Sequence, residues 1–146
     1  LKATRRRQSA ATLPVQKEDF AGRRILLVED NEINMEIART LLEFRNASVD
    51  GACNGQQAVE MFRSSPQNHY DAVLMDVRMP VMDGIAATQA IRGLDRADAA
   101  TVPILAMTAN AFAEDIERSR KAGMNEHLAK PIEPETLDAR LASYFR

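Results

Sequence analysis

YDAVLMDVRMPVMDG, residues Tyr70–Gly84, decides how the rest of the chain is read. It opens on the apolar run Ala72-Val73-Leu74-Met75, of a length suited to a strand buried on both faces. The run stops on a carboxylate, Asp76. Seven residues later Asp83-Gly84 gives a turn signal, with Pro80 stiffening the loop between. A charge at the end of a buried strand is poorly placed for packing and well placed for chemistry, because ligands meet open parallel sheets outside the carboxyl ends of their strands. Asp76 is therefore expected to act as a nucleophile.

The same pattern recurs on either side. Ile25-Leu26-Leu27-Val28 is a second buried-strand run, ending on Glu29 and Asp30. Asn31 is placed to cap a helix on which Ile33, Ile37, Leu41 and Phe44 recur at helical spacing. Ala47–Ala52 reads as a weaker strand, and Asn54-Gly55 as a turn before a helix carrying Ala58, Val59 and Phe62. After the central strand a helix is expected from about Gly84 to Arg92, then a polar, alanine-rich connection over Asp95–Ala100. Pro103–Met107 makes a fourth strand ending at Thr108. The next helix spans about Ala111 to Lys121, with Phe112, Ala113 and Ile116 inward and Gly123 as its stop. Glu126–Ala129 is a short fifth strand ending at Lys130-Pro131. Glu133 or Pro134 begins the last helix, with Leu137, Leu141 and Tyr144 on one face. Strands alternating with helices require crossovers between parallel neighbours, so the expected fold is α/β, a (βα)5 three-layer sandwich on a five-stranded parallel sheet.

With 146 residues one domain is expected, over 23–146, preceded by a linker or disordered lead-in over 1–22 that lacks apolar periodicity and carries Arg5-Arg6-Arg7. A formal charge of -2 gives no electrostatic reason to expect nucleic acid or an anionic membrane as partner. No apolar stretch approaches membrane-spanning length, and the start has no secretory pattern. The lone Cys53 suits a reducing compartment. Starting at Leu1 rather than Met, the sequence reads as part of a longer chain.

Parallel strands open their carboxyl ends on one rim, so Glu29, Asp30, Asp76, Thr108 and Lys130 belong there together. If the first and third strands are neighbours, three carboxylates crowd, and each raises the pKa of the others unless a cation sits among them. Hard oxygen ligands in an open, hydrated site suit Mg²⁺. The ion would neutralise an incoming phosphoryl group and hold it for attack by Asp76, giving an acyl phosphate. Lys130 would offer the phosphoryl oxygens a positive charge and Thr108 a hydroxyl.

The motifs VEDN at Val28–Asn31, LMDVRMPVMDG at Leu74–Gly84, MTAN at Met107–Asn110 and HLAKP at His127–Pro131 resemble the receiver domain of two-component response regulators, in order and at the right separations. The resemblance covers about Arg23 to Arg146. It implies a flavodoxin-like sheet of order 2-1-3-4-5 and a phosphoryl group accepted by Asp76 from the phosphohistidine domain of a histidine kinase. A histidine phosphotransfer protein is a further candidate partner in a phosphorelay. It implies Mg²⁺ held by Glu29, Asp30, Asp76 and the backbone carbonyl of Arg78, with Thr108 and Lys130 on the phosphate, and a cis Lys130-Pro131 bond. The domain itself would be a self-catalysing phosphoacceptor. The run DNEIN at Asp30–Asn34 and the HLAKPI ending further resemble the receiver of a hybrid sensor histidine kinase, so that this segment would be cytoplasmic even where its parent is membrane-anchored. A stand-alone response regulator remains the alternative. One position departs from the family: three residues before the lysine an aromatic ring is usual, and here stands His127. That points to a weaker aromatic read-out, or to a receiver that chiefly relays phosphate.

Plainer readings stand beside these. Asp83 is expected to cap the next helix rather than to touch metal, His127 to be a partly buried packing residue, His69 to be exposed, and Cys53 to be a small packed side chain. Neither histidine joins a Cys/His cluster, so zinc has no support. Two other classes fit these residues less well. A Mg²⁺-dependent phosphatase with an aspartyl intermediate generally needs an acid two residues past the nucleophile, where this chain has Arg78. A flavin binder needs a phosphate-cradling loop after the first strand, where this chain has Glu29-Asp30-Asn31.

Overall fold

A computed structural model of the chain describes residues 19–79, 81–109 and 113–145. Strands β1 (Arg24–Val28), β2 (Ser48–Ala52), β3 (Ala72–Asp76), β4 (Ile104–Thr108) and β5 (Glu126–Ala129) alternate with helices α1 (Glu32–Phe44), α2 (Gly55–Ser64), α3 (Gly84–Arg92), α4 (Ala97–Thr101), α5 (Ala113–Ala122) and α6 (Pro134–Phe145). The strands form one parallel sheet in the order β2-β1-β3-β4-β5. Sequence explains who sits in the middle. The unbroken apolar runs of β1, β3 and β4 need cover on both faces and take the centre, whereas β2 and β5, with polar residues and partial exposure, take the edges.

Alternation along the strands feeds two separate cores. Leu26, Val28, Val73, Met75, Ile104 and Ala106 face the layer that holds Val59, Phe62, Ala87 and Ile91 of α2 and α3. Ile25, Leu27, Leu74, Leu105 and Met107 face Ala38 and Leu42 of α1 and Leu137 and Leu141 of α6. Each fully buried leucine or isoleucine contributes about 1.5–3 kcal/mol relative to exposure.

Asn31 caps α1 as expected, its Oδ1 accepting from the Asn34 N–H at 2.9 Å. The buried face of α1 is not the expected stripe, however. Ala38 and Leu42 lie against the sheet, while Ile33 is 71% and Phe44 69% exposed. The helix carries apolar residues on two faces, and the one with the small Ala38 sits against the sheet.

The expected connection over Asp95–Ala100 contains a helix, α4, stabilised by a pairing that composition does not show. The Arg96 guanidinium grips the buried Asp98 carboxylate through two bonds of 2.7 and 2.8 Å and donates to the carbonyls of Phe62, Ser65 and Pro66. That bond holds the Asp98 carboxyl below the usual carboxylate range.

Residues 1–18 of the expected lead-in lie outside the described residues, as do Ala111 and Phe112. Packing begins before Arg23: the buried Phe20 ring meets Phe145 edge-on at 5.2 Å, and its N–H donates to the Arg45 carbonyl. Cys53 is exposed rather than packed, because the chain leaves the sheet at Ala52. His69 is half-buried rather than exposed, edge-on to the Tyr70 ring at 4.7 Å. Gly123, at φ 115°, ends α5 as expected.

Candidate functional site

Register brings the polar residues together. Val28 of β1 lies opposite Met75 of β3, so Glu29 and Asp76 emerge side by side. Thr108 ends β4 opposite Ala129 of β5, and its carbonyl accepts from the Lys130 N–H at 2.9 Å. Lys130 is thereby aimed back across the rim. Its Nζ lies 2.9 Å from Glu29 Oε1 and 3.0 Å from Asp76 Oδ2. Glu29, Asp30 and Asp76 each bring one carboxylate oxygen to within 4.8 Å of the others. Glu29 and Asp76 are buried, at 3% and 5% exposure, and Asp30 faces solvent.

Charge in this cluster is unbalanced. Burial raises the Glu29 carboxyl above its ordinary range, helped by neighbouring Asp76, against the lowering effect of Lys130 and the Asn31 N–H. Burial alone would lower the Lys130 ammonium, but its bonds to Glu29 and Asp76 outweigh that and leave it raised. Three carboxylates against one ammonium is a donor set suited to a hard divalent cation with water-filled positions, and the residues present therefore fit Mg²⁺. Arg78 turns its N–H to Asp76 Oδ1 at 3.2 Å, which fixes the carboxylate and keeps the Arg78 peptide beside the cluster. Thr108 is buried at the end of the strand next to β3.

Two features escaped the sequence reading. Lys130 is already paired with Glu29, a contact between residues 101 positions apart with no local signature. Gly84, read as a turn signal, is also a point of close approach: a Cβ there would collide with the Asp76 carbonyl oxygen. The Gly84 N–H donates to the Val77 carbonyl, so the absent side chain lets α3 close directly over the end of β3. Asp83 caps α3 as expected, accepting from the Ala86 N–H at 2.8 Å. The Lys130–Pro131 peptide is cis.

His127, on β5, is half-buried as expected, but its Nε2 is buried with no hydrogen-bond partner among the described residues. Burial pushes its pKa down, with Glu126 beside it and Arg120 of α5 opposing each other. A folded-state value below the unfolded one means that the unfolded chain takes up the proton first as pH falls. This contribution to stability is present above about pH 6.5 and is lost as pH falls through the lowered folded value. His127→Phe is expected to gain about 1 kcal/mol at neutral pH by removing an unsatisfied nitrogen. It should also flatten the acid-side slope; urea unfolding on either side of pH 6.5 measures both.

A parallel α/β sandwich of this strand order, with an acid cluster and a lysine on its carboxyl-end rim, defines the flavodoxin-like receiver class. The family model for the response regulator receiver domain matches residues 25–142, and the chain belongs to that family. It is 32% identical over 131 residues to hybrid signal transduction histidine kinase I of Dictyostelium discoideum, covering 88% of this chain and 8% of the kinase. It is 41% identical over 123 residues to a two-component response regulator of Oryza sativa subsp. japonica, covering 83% of this chain and 93% of the regulator. The crystal structure of the receiver domain of a sensor histidine kinase from Pseudomonas aeruginosa PAO1 superposes with a TM-score of 0.77 at 41% identity, covering 85% of this chain and 98% of that one. That neighbour has a magnesium ion coordinated in its active site cleft. Among the described residues no helix is long and apolar enough to cross a membrane.

Proposed function

We propose that this domain accepts a phosphoryl group on Asp76 from a phosphohistidine of a partner protein, as the receiver part of a hybrid sensor histidine kinase working on the cytoplasmic side. The observation that carries the reading is the Lys130 ammonium held between Asp76 Oδ2 and Glu29 Oε1 beside a third carboxylate. An Asp76 carboxylate oxygen attacks phosphorus, the P–N bond breaks with its electron pair going to the imidazole, and Asp76 becomes an acyl phosphate. Bound Mg²⁺ would supply charge neutralisation for the phosphoryl oxygens, held by Glu29, Asp30, Asp76 and the Arg78 carbonyl. Lys130, already within 3.0 Å of Asp76, pairs with a phosphoryl oxygen, and Thr108 donates its hydroxyl to another. The added charge then biases the packing around α5 and β5, the surface read by partners.

Mass spectrometry of the chain after treatment with acetyl phosphate and Mg²⁺ tests the reading. One added phosphoryl group on the peptide containing Asp76 is expected; modification elsewhere, or none, would overturn it.

A further inference from the structure

Helix α1 carries a second apolar face. Ala38 and Leu42 meet the sheet, while Ile33, Ile37, Leu41 and Phe44 recur at helical spacing on the other side. Leu41 is half-buried; Ile37 is 53% and Phe44 69% exposed. Large apolar side chains scattered singly over a surface need no explanation, but a row of them along one helix marks a surface that something covers. Acids edge the row: Glu32, Glu36 and Glu43 are all exposed on its flank. Arg39 approaches Glu36 and Glu43 only at 4.0 and 3.8 Å, which leaves this side of the helix negative. Its occupant must be apolar and basic at once.

The chain itself supplies such a segment. Residues 1–18 carry Lys2, Arg5, Arg6, Arg7 and Lys17 against Glu18 alone, and between the two basic groups lie Leu13 and Val15. They join the domain at the last turn of α1: the Phe20 N–H donates to the Arg45 carbonyl at 2.7 Å, and Asn46 Nδ2 donates to Asp19 Oδ1 at 3.2 Å. The 13 residues of α1 rise by about 20 Å. A stretch as long as Arg5–Lys17 reaches about 40 Å when extended, so it covers the helix with slack. We infer that residues 5–17 lie back along α1, with Leu13 and Val15 against Ile37 and Leu41 and the arginine triplet beside Glu32 and Glu36. The polarity of the fold gives this contact a use. Because α1 follows the carboxyl end of β1, it starts at the rim that holds the acid cluster and ends at the opposite pole. A segment laid back along it delivers the residues ahead of Arg5 to the Asp76 rim instead of leaving them at the far end of the domain.

The chain has no tryptophan, so Val15→Trp in the full chain places a single reporter on the segment. Its emission is expected at shorter wavelength than in the same chain unfolded by urea, because the indole is buried against the apolar row. Ile37→Gln removes the apolar contact and Glu36→Lys reverses the nearest charge; each, added to Val15→Trp, should abolish most of that shift. Both side chains lie on the surface, Glu36 at 73% exposure, so the far-ultraviolet circular dichroism spectrum should not change. Should Ile37→Gln disturb the helix, Glu36→Lys decides alone. Emission at the unfolded wavelength in Val15→Trp would overturn the inference. So would a shift that neither substitution on α1 moves, since the segment would then rest elsewhere. A shift that fades on dilution would place the segment on a second copy of the chain and overturn the intramolecular contact.

Discussion

Asp76→Asn is expected to abolish labelling by acetyl phosphate and by a phosphohistidine donor, a loss on the order of 10⁴-fold or more, as when a nucleophile is removed. The reason is electronic rather than steric. An asparagine amide has the shape of the carboxylate and keeps an oxygen for the Arg78 N–H, but carries no anionic lone pair able to attack phosphorus. The fold should survive the change. Asp76 lies at the end of β3, and the ladder to β4 is made by main chain, with the Val77 N–H donating to the Met107 carbonyl. Lys130 retains Glu29 as its partner, and a negative charge next to the raised Glu29 carboxyl disappears. A circular dichroism spectrum like that of the wild type, together with lost radiolabel, is the expected pair of results. Label persisting at wild-type level would move the acceptor elsewhere, with Glu29 and Asp30 of the same cluster the carboxylates to examine.

Several parts of this site were legible before any coordinates, for a definite physical reason. A parallel sheet puts every strand's carboxyl end on one rim, so a polar residue directly after an apolar run is already located in space; Glu29, Asp76, Thr108 and Lys130 were placed by that alone. The same logic put Asp83 and Asn31 at helix caps, where local hydrogen bonding decides. Strand order was less accessible, since the crossover pattern requires parallel neighbours without saying which, and 2-1-3-4-5 came from resemblance. What stayed hidden depends on long-range partners. The buried Asp98 owes its place to Arg96 and to the carbonyls at the end of α2, and only folding brings these together. The buried face of α1 is hidden too, because periodicity finds apolar positions but not which of two apolar faces meets the sheet. Gly84 carried a visible signal, but a turn and a close approach to Asp76 are spelled with the same residue.

Lys130→Gln is expected to separate two properties that the wild-type site holds in balance. Labelling by acetyl phosphate should fall by about 10²–10³-fold, the loss typical when one preorganised donor to a developing negative charge is removed. The Mg²⁺ affinity should move the other way, rising by about tenfold, because the ammonium and the divalent ion compete for the same Glu29 and Asp76 oxygens. Stability in the absence of metal should drop by about 3 kcal/mol, since two buried carboxylates lose their only close ammonium among the described residues. Added Mg²⁺ should then recover more stability in the variant than in the wild type, because tighter binding to the folded state contributes through mass action. Chemical unfolding with and without Mg²⁺, alongside the labelling rate, reads all three. A variant that binds Mg²⁺ more weakly would show that the Lys130 side chain positions the Glu29 and Asp76 carboxylates rather than competing for them. Glutamine keeps the backbone N–H that ties β5 to the Thr108 carbonyl, so the charge alone is removed, and opposite movements of affinity and rate would assign Lys130 to the transferred group rather than to the metal.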